Sequence, residues 1–313
     1  MTSFAPSSRD DGALIHAALL YRHPDQLRVA LREFLADAAA VGEPVLAVMP
    51  GPQLELLDDV LQNGGPGVQV QDMMQAGRNP ARLIPMLLDW VAETAVWSRV
   101  VAEVMWPERT YAEAAECLRH EALLNHAFAD APLSVLCPYD IEHLESDVIA
   151  GAELTHPHLI DEAGPRPSIA YGDPLDVARG ERWPQAEPDP PVFELDFDGD
   201  LWALRHALSS DPLLDGLDSE RRENLVFAVN EAATNAIRHG DGHARARFWR
   251  DDDHVVGEVC TTSWIEDPLV GRRTPAPGDL GGRGLWLINQ ICDLVEVRSA
   301  PGGASVRMRI AAT

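Results

Sequence analysis

The sequence predicts two domains of different class: an α/β domain built on a parallel sheet, then an α+β domain. Three observations carry this reading. The chain has 313 residues, a length for which two domains are the natural expectation. Strand-like and helix-like segments alternate in the first half, whereas the last third holds several strand patterns and few helices. Between them, Asp161–Pro191 is rich in Pro, Gly, Asp and Glu, lacks periodicity, and is too long for a loop inside a compact domain. The expected boundaries are a disordered tail at 1–10, a first domain over 11–160, a linker over 161–191 and a second domain over 192–313.

In the first domain, Leu27–Ala40 has helical spacing and leads into Pro44–Met49, a short buried-strand run. Further strands are expected at Val68–Gln71, Val100–Val104 and Leu133–Cys137, with helices at Gln53–Leu61, Arg82–Thr94 and Tyr111–Ala129. Such alternation points to a parallel sheet with helices on both faces. Met49-Pro50-Gly51-Pro52 sits where a phosphate loop would follow the first core strand, but that chemistry needs a Lys and the chain contains none. All basic residues are Arg, as a high-GC genome would encode.

Composition narrows the function. A net charge of −25 argues against direct nucleic-acid binding and against an anionic membrane surface. No apolar run is long enough to span a bilayer, and Met1–Gly12 lacks a signal-peptide pattern. Cys117, Cys137, Cys260 and Cys292 are scattered without CxxC spacing, which fits reduced thiols in a cytoplasm. Cys117 and His120 share i,i+3 spacing, and Cys137, His16, His156 and His158 can converge in space on a transition metal. Without a tight ligand pair plus a second pair, the sequence favours buried thiols and hydrogen-bonded histidines instead. Arg119, His120, Glu121 and Asn125 are polar groups clustered in an otherwise apolar helix, better suited to a polar ligand or a structural network.

The second domain carries the sharper signal. Leu225, Ala228, Val229, Ala232 and Ala236 recur at helical spacing, and Glu231 and Asn235 project together from another face of that helix. A carboxylate and an amide oxygen so placed can hold a hydroxyl proton and a hard cation. About fifty residues on, Gly278 and Gly281-Gly282-Arg283-Gly284 precede the helical pattern Leu285–Ile291. Glycines before a helix free backbone N–H groups for an anion, and Arg283, Arg272 and Arg273 add positive charge. Strand patterns at Val192–Asp198, Ala244–Arg250, Val255–Cys260, Leu294–Ser299 and Ser305–Ile310 surround helical patterns at Leu201–Leu208, Arg221–His239 and Leu285–Ile291. The expected architecture is helices on one face of a mainly antiparallel sheet.

These motifs resemble the GHKL (Bergerat-fold) ATPases over residues 192–311, in the branch of bacterial anti-sigma factor serine kinases. The resemblance implies ATP and Mg²⁺ as cofactors, with Glu231 as general base towards a serine hydroxyl, Asn235 on the metal, and Gly282 and Gly284 at the ATP lid. Arg238 and Arg283 join the cofactor-binding candidates. It also implies a sigma factor or an anti-sigma antagonist as partner, and a homodimer. One departure matters: Thr261 stands where the family has an Asp on the adenine amino group, and Ser263 where it has a Gly. Losing a charged hydrogen bond in a buried pocket costs about 1.5–3 kcal/mol, roughly one to two decades of affinity.

A second resemblance covers roughly residues 11–160. Gly77–Arg82, Arg119–Asn125, Leu136–Asp140 and His16 are similar to the MEDS sensory domain. That implies a RecA/KaiC-like fold without its phosphate loop and an unidentified small ligand, with His16, Arg119, His120, Glu121, Asn125 and Tyr139 as candidate contacts. The combined expectation is a cytoplasmic regulator with a sensor controlling a kinase-like module. Alternatives are a pseudokinase that only binds partners, a sensor-led protein with a dimerisation platform, and a sensor histidine kinase. The last is disfavoured, because His120-Glu121 lies inside the α/β domain and no dimerising hairpin precedes the ATPase region.

Overall fold

The apolar runs of the first half form strands buried on both faces, which selects a parallel sheet covered by helices. The computed structural model describes residues 13–62, 67–94, 96–180, 192–240, 242–251, 253–278 and 282–312. The expected tail at 1–10 and Gly281 lie outside them. Contacts divide the chain into one unit ending at Gly180 and another beginning at Glu181.

The first unit runs β1 (Ile15–Tyr21), α1 (Pro24–Val41), β2 (Val45–Met49), α2 (Gly51–Gln62), β3 (Val68–Asp72), α3 (Met73–Ala76), α4 (Leu83–Thr94), β4 (Ser98–Ala102), α5 (Tyr111–Ala127), β5 (Leu133–Asp140), α6 (Ser146–Thr155), β6 (His158–Asp161), β7 (Gly164–Pro167) and α7 (Pro174–Arg179). Among the described residues the sheet order is β3-β2-β4-β5-β1-β6-β7, parallel except for the β6–β7 hairpin. Residues of β2 and β4 are buried throughout, while β3 lies at the edge with exposed glutamines.

Two expectations need correction. The first core strand is β1, not Pro44–Met49, so a phosphate loop would have to open after Tyr21. Only Arg22 and His23 separate β1 from α1, which starts on Pro24 at its first turn. The linker over 161–191 is also too broad, because residues up to Gly180 fold with the first unit. Gly164 takes φ 103° in the hairpin turn, and Asp173 caps α7 by accepting from Leu175 N and Asp176 N ahead of Pro174. Here Pro, Gly and Asp serve as turn and cap residues. Residues 181–191 lie outside the described residues.

Glu103 follows β4 and is 1% exposed, with the Tyr21 hydroxyl donating to its Oε1 at 3.1 Å. Burial pushes its carboxyl up to about 8, and the nearby Asp140 charge adds to this. The folded chain therefore keeps this proton from about pH 4.5 to 8 while the unfolded chain releases it, so the group costs stability as pH rises through that window. Urea denaturation of wild type and Glu103→Gln across that range should show the wild type losing up to about 1.4 kcal/mol per pH unit relative to the variant. Parallel pH profiles would contradict the assignment.

The second unit runs β8 (Phe193–Phe197), α8 (Leu201–Ser209), α9 (Ser219–His239), β9 (Ala244–Asp251), β10 (His254–Thr261), α10 (Arg283–Ile291), β11 (Leu294–Ala300) and β12 (Gly303–Ala311). Its sheet order is β11-β12-β10-β9-β8, each neighbour antiparallel. Strand alternation polarises the sheet. Phe248, Val255, Val259, Val306 and Met308 join Leu225, Val229 and Ile288 in one core with the helices. The opposite face carries an ion ladder, with Arg307 Nη2 3.0 Å and Arg247 Nε 2.7 Å from the Glu258 carboxylate. Among the described residues no helix is long and apolar enough to cross a membrane.

Candidate functional site

α9 positions the first pair of candidates. Asp218 caps it by accepting from Arg221 N, and its apolar stripe docks on the sheet. Glu231 and Asn235 lie half-buried on its flank. The first turn of α10 comes against both: a Cβ on Gly284 would stand 3.0 Å from Asn235 Nδ2 and 3.1 Å from Glu231 Oε2. Gly282 is the N-cap residue of α10 in the left-handed region at φ 79°. The helix thus presents its first turn beside a carboxylate and an amide, a combination suited to a polyphosphate with a cation.

Beside this junction lies a cavity of about 350 Å³. Asn235, Thr261, Ser263, Gly282 and Gly284 all line it. Ala236, Val259, Ile265, Leu285 and Val306 make its walls largely apolar, which suits a flat aromatic base. Thr261 ends β10 and turns its hydroxyl towards the end of α9, where a Cβ on Gly240 would come within 2.9 Å of Thr261 Oγ1. Ser263 N donates to that oxygen at 3.4 Å. Trp264 lines the cavity but remains half-exposed, shielding one side without filling it. Arg238 and Arg283 are exposed and do not line the cavity, and Arg273 pairs with Asp267 at 2.9 Å.

The first unit gathers its candidates unevenly. His16 from β1, Glu121 and Asn125 from α5, and Tyr139 from β5 meet in one buried cluster. His16 Nε2 is 3.1 Å from Glu121 Oε2, and the Tyr139 hydroxyl donates to Glu121 Oε1 at 3.4 Å. Cys137 and His156 complete the cluster. Arg119 instead lies 3.9 Å from Glu116, and Cys117 donates to Val104 O at 3.2 Å. His120 is buried on α5 but contributes no atom to this group of donors.

Residues 15–157 match the MEDS family, described as MEthanogen/methylotroph, DcmR Sensory domain. Residues 198–310 match HATPase_c_2, the Histidine kinase-like ATPase domain. The chain joins a MEDS sensory domain to a histidine kinase-like ATPase domain. No curated protein matches the chain. An ATPase domain of this type implies ATP binding, usually with Mg²⁺, and the residues lining the cavity fit that group.

Sequence reasoning missed two supports of the ATPase site. Asn289 Nδ2 donates to Gly271 O at 2.9 Å, tying the turn after Leu269 to α10. Gly271 itself sits at φ 70° against Leu285. The glycine in Val270-Gly271-Arg272 was the only available signal. At Gly284, an added methyl must push Asn235 or Glu231 aside. Gly284→Ala is therefore expected to keep the fold and weaken Mg-ATP binding by about tenfold, ~1.4 kcal/mol. Titration calorimetry checks this, and unchanged affinity would mean that the α10 junction does not touch the nucleotide.

Proposed function

We propose that this chain is a cytoplasmic signalling regulator in which the MEDS domain controls an anti-sigma-type serine kinase module. One observation carries the reading: Glu231 and Asn235 meet the glycine-led start of α10, and Asn235, Gly282 and Gly284 line an apolar cavity beside that junction. ATP supplies the phosphoryl group when bound, and Mg²⁺ neutralises its charge. Asn235 would hold the cation through its amide oxygen, and the α10 amides would hold the phosphates. Glu231 would take the proton from a serine hydroxyl on an anti-sigma antagonist. The same module would sequester a sigma factor, and phosphorylation of the antagonist would shift that equilibrium. The module is proposed to work as a homodimer.

Thr261 favours a second reading. A hydroxyl in place of a carboxylate weakens the grip on adenine, and a module that bound its partner without turnover would be a pseudokinase. Titration with ATP and ADP, with and without Mg²⁺, separates the two. The kinase reading expects Mg²⁺-dependent binding that is lost in Asn235→Ala, and partner phosphorylation that falls by at least about a hundredfold in Glu231→Ala. No binding at millimolar nucleotide would leave the pseudokinase reading, and unchanged phosphorylation in Glu231→Ala would remove Glu231 as base.

A further inference from the structure

The buried cluster in the MEDS domain is built from four separate parts of the fold. His16 comes from β1, Glu121 from α5, Cys137 from β5, and His156 from the α6–β6 junction. One donor atom from each lies within 4.8 Å of the others. Cys137 is in register with Ala18, two residues beyond His16, so strand alternation puts both side chains on one face of the sheet. The four residues are between 0% and 1% exposed.

The separations have the size of a coordination shell. His16 Nε2 lies 3.1 Å from Glu121 Oε2 and 3.4 Å from Cys137 Sγ. Glu121 Oε2 lies 3.6 Å from Cys137 Sγ and 3.7 Å from His156 Nε2. A tetrahedral ion with bonds of about 2.0–2.3 Å sets its ligands about 3.3–3.8 Å apart. Donors this close leave no room for an organic ligand at their centre.

The hydrogen bonds around the cluster fix which atoms carry protons. His156 Nδ1 is 2.8 Å from the carbonyl oxygen of Ala152, an acceptor, so Nδ1 holds the proton and Nε2 holds a lone pair. That Nε2 is buried, has no hydrogen-bond partner among the described residues, and faces a carboxylate oxygen. Two acceptors facing each other in a dry site repel unless a cation lies between them. Asn125 Nδ2 donates to Glu121 O and Thr155 O, so its Oδ1 accepts from His16 Nδ1 at 3.0 Å. His16 Nε2 is thereby turned to Cys137 and Glu121. Outer partners of this kind set the tautomer and orientation of metal-bound histidines.

Charge points the same way. Two neutral imidazoles, a thiolate and a carboxylate around a divalent ion sum to zero, the state that full burial tolerates. Cys137 would bind as the thiolate, so an entering metal would release its proton.

We propose that His16, Glu121, Cys137 and His156 form a closed, four-coordinate centre for a borderline divalent transition metal of the zinc type. Mixed nitrogen, sulfur and oxygen donors at tetrahedral spacing suit such an ion and not Mg²⁺ or Ca²⁺. Occupancy would pin α5 and the α6–β6 junction to the centre of the sheet. Cys117, His120 and His158 stay outside the set.

The full chain, produced in minimal medium with cobalt(II) or zinc(II) as the only added transition metal, tests this by metal analysis and absorption spectroscopy. The expected result is about one ion per chain and, for cobalt, four-coordinate ligand-field bands with a thiolate charge-transfer band. Cys137→Ser should abolish the charge-transfer band, and Cys260→Ser should leave it intact. Glu121→Gln, isosteric and the least disturbing to the fold, should lower retention against a chelator by at least about tenfold. A folded wild type carrying neither metal would overturn the proposal, as would a charge-transfer band that survives in Cys137→Ser or retention unchanged in Glu121→Gln.

Discussion

The ATPase domain depends on how closely α9 lies on its sheet. Gly257, in the middle of β10, permits this approach, because a Cβ there would stand 2.8 Å from Val229 Cγ2 and 3.5 Å from Leu225 Cδ1. With the helix seated at that depth, Val229, Ala232 and Ala236 reach the sheet, and Glu231 and Asn235 stand half-buried on the flank. Their polar atoms then meet Gly284 at the start of α10. A bulkier residue at 257 would lift the helix and open the junction, since a packed core transmits such a change instead of absorbing it. Gly240 and Gly303 impose the same closeness at Thr261, where a Cβ on Gly303 would lie 2.6 Å from Thr261 O.

The MEDS domain rests on a different constraint. Its centre is polar, fully buried and tied to four elements at once. Glu121 is the hub: its Oε2 faces His16, Cys137 and His156, and its Oε1 accepts from the Tyr139 hydroxyl. Asn125, one turn further along α5, joins His16 to the carbonyls of Glu121 and Thr155. Such a network stabilises a unique arrangement only when every member is satisfied. The bare Nε2 of His156 is the member that is not.

What could be read from the sequence follows from how local each feature is. Glu231 and Asn235 share one helix, and the glycines before α10 are contiguous, so spacing alone placed them together. Glu121 and Asn125 were visible for the same reason. His16, Cys137 and His156 are far apart in the chain and meet only through the β1–β5 register and the end of α6, which no local pattern encodes. The strand Ile15–Tyr21 was missed because a short apolar run does not distinguish strand from buried helix. The structured part of 161–180 was hidden because Pro, Gly and Asp mark turns and caps as readily as linkers. Arg238 and Arg283 were counted with the nucleotide site, but both are exposed and neither lines the cavity.

The central claim is that the cavity between α9, the end of β10 and the start of α10 receives the nucleotide. Hydrogen–deuterium exchange of the full chain with and without Mg-ATP tests it most directly, because it reads backbone protection segment by segment. The account predicts slower exchange in Asn235–Gly240, Thr261–Ile265 and Gly282–Ile288 when Mg-ATP is added, with the distant strand β8 unchanged. Unaltered exchange in all three segments at millimolar Mg-ATP would contradict it.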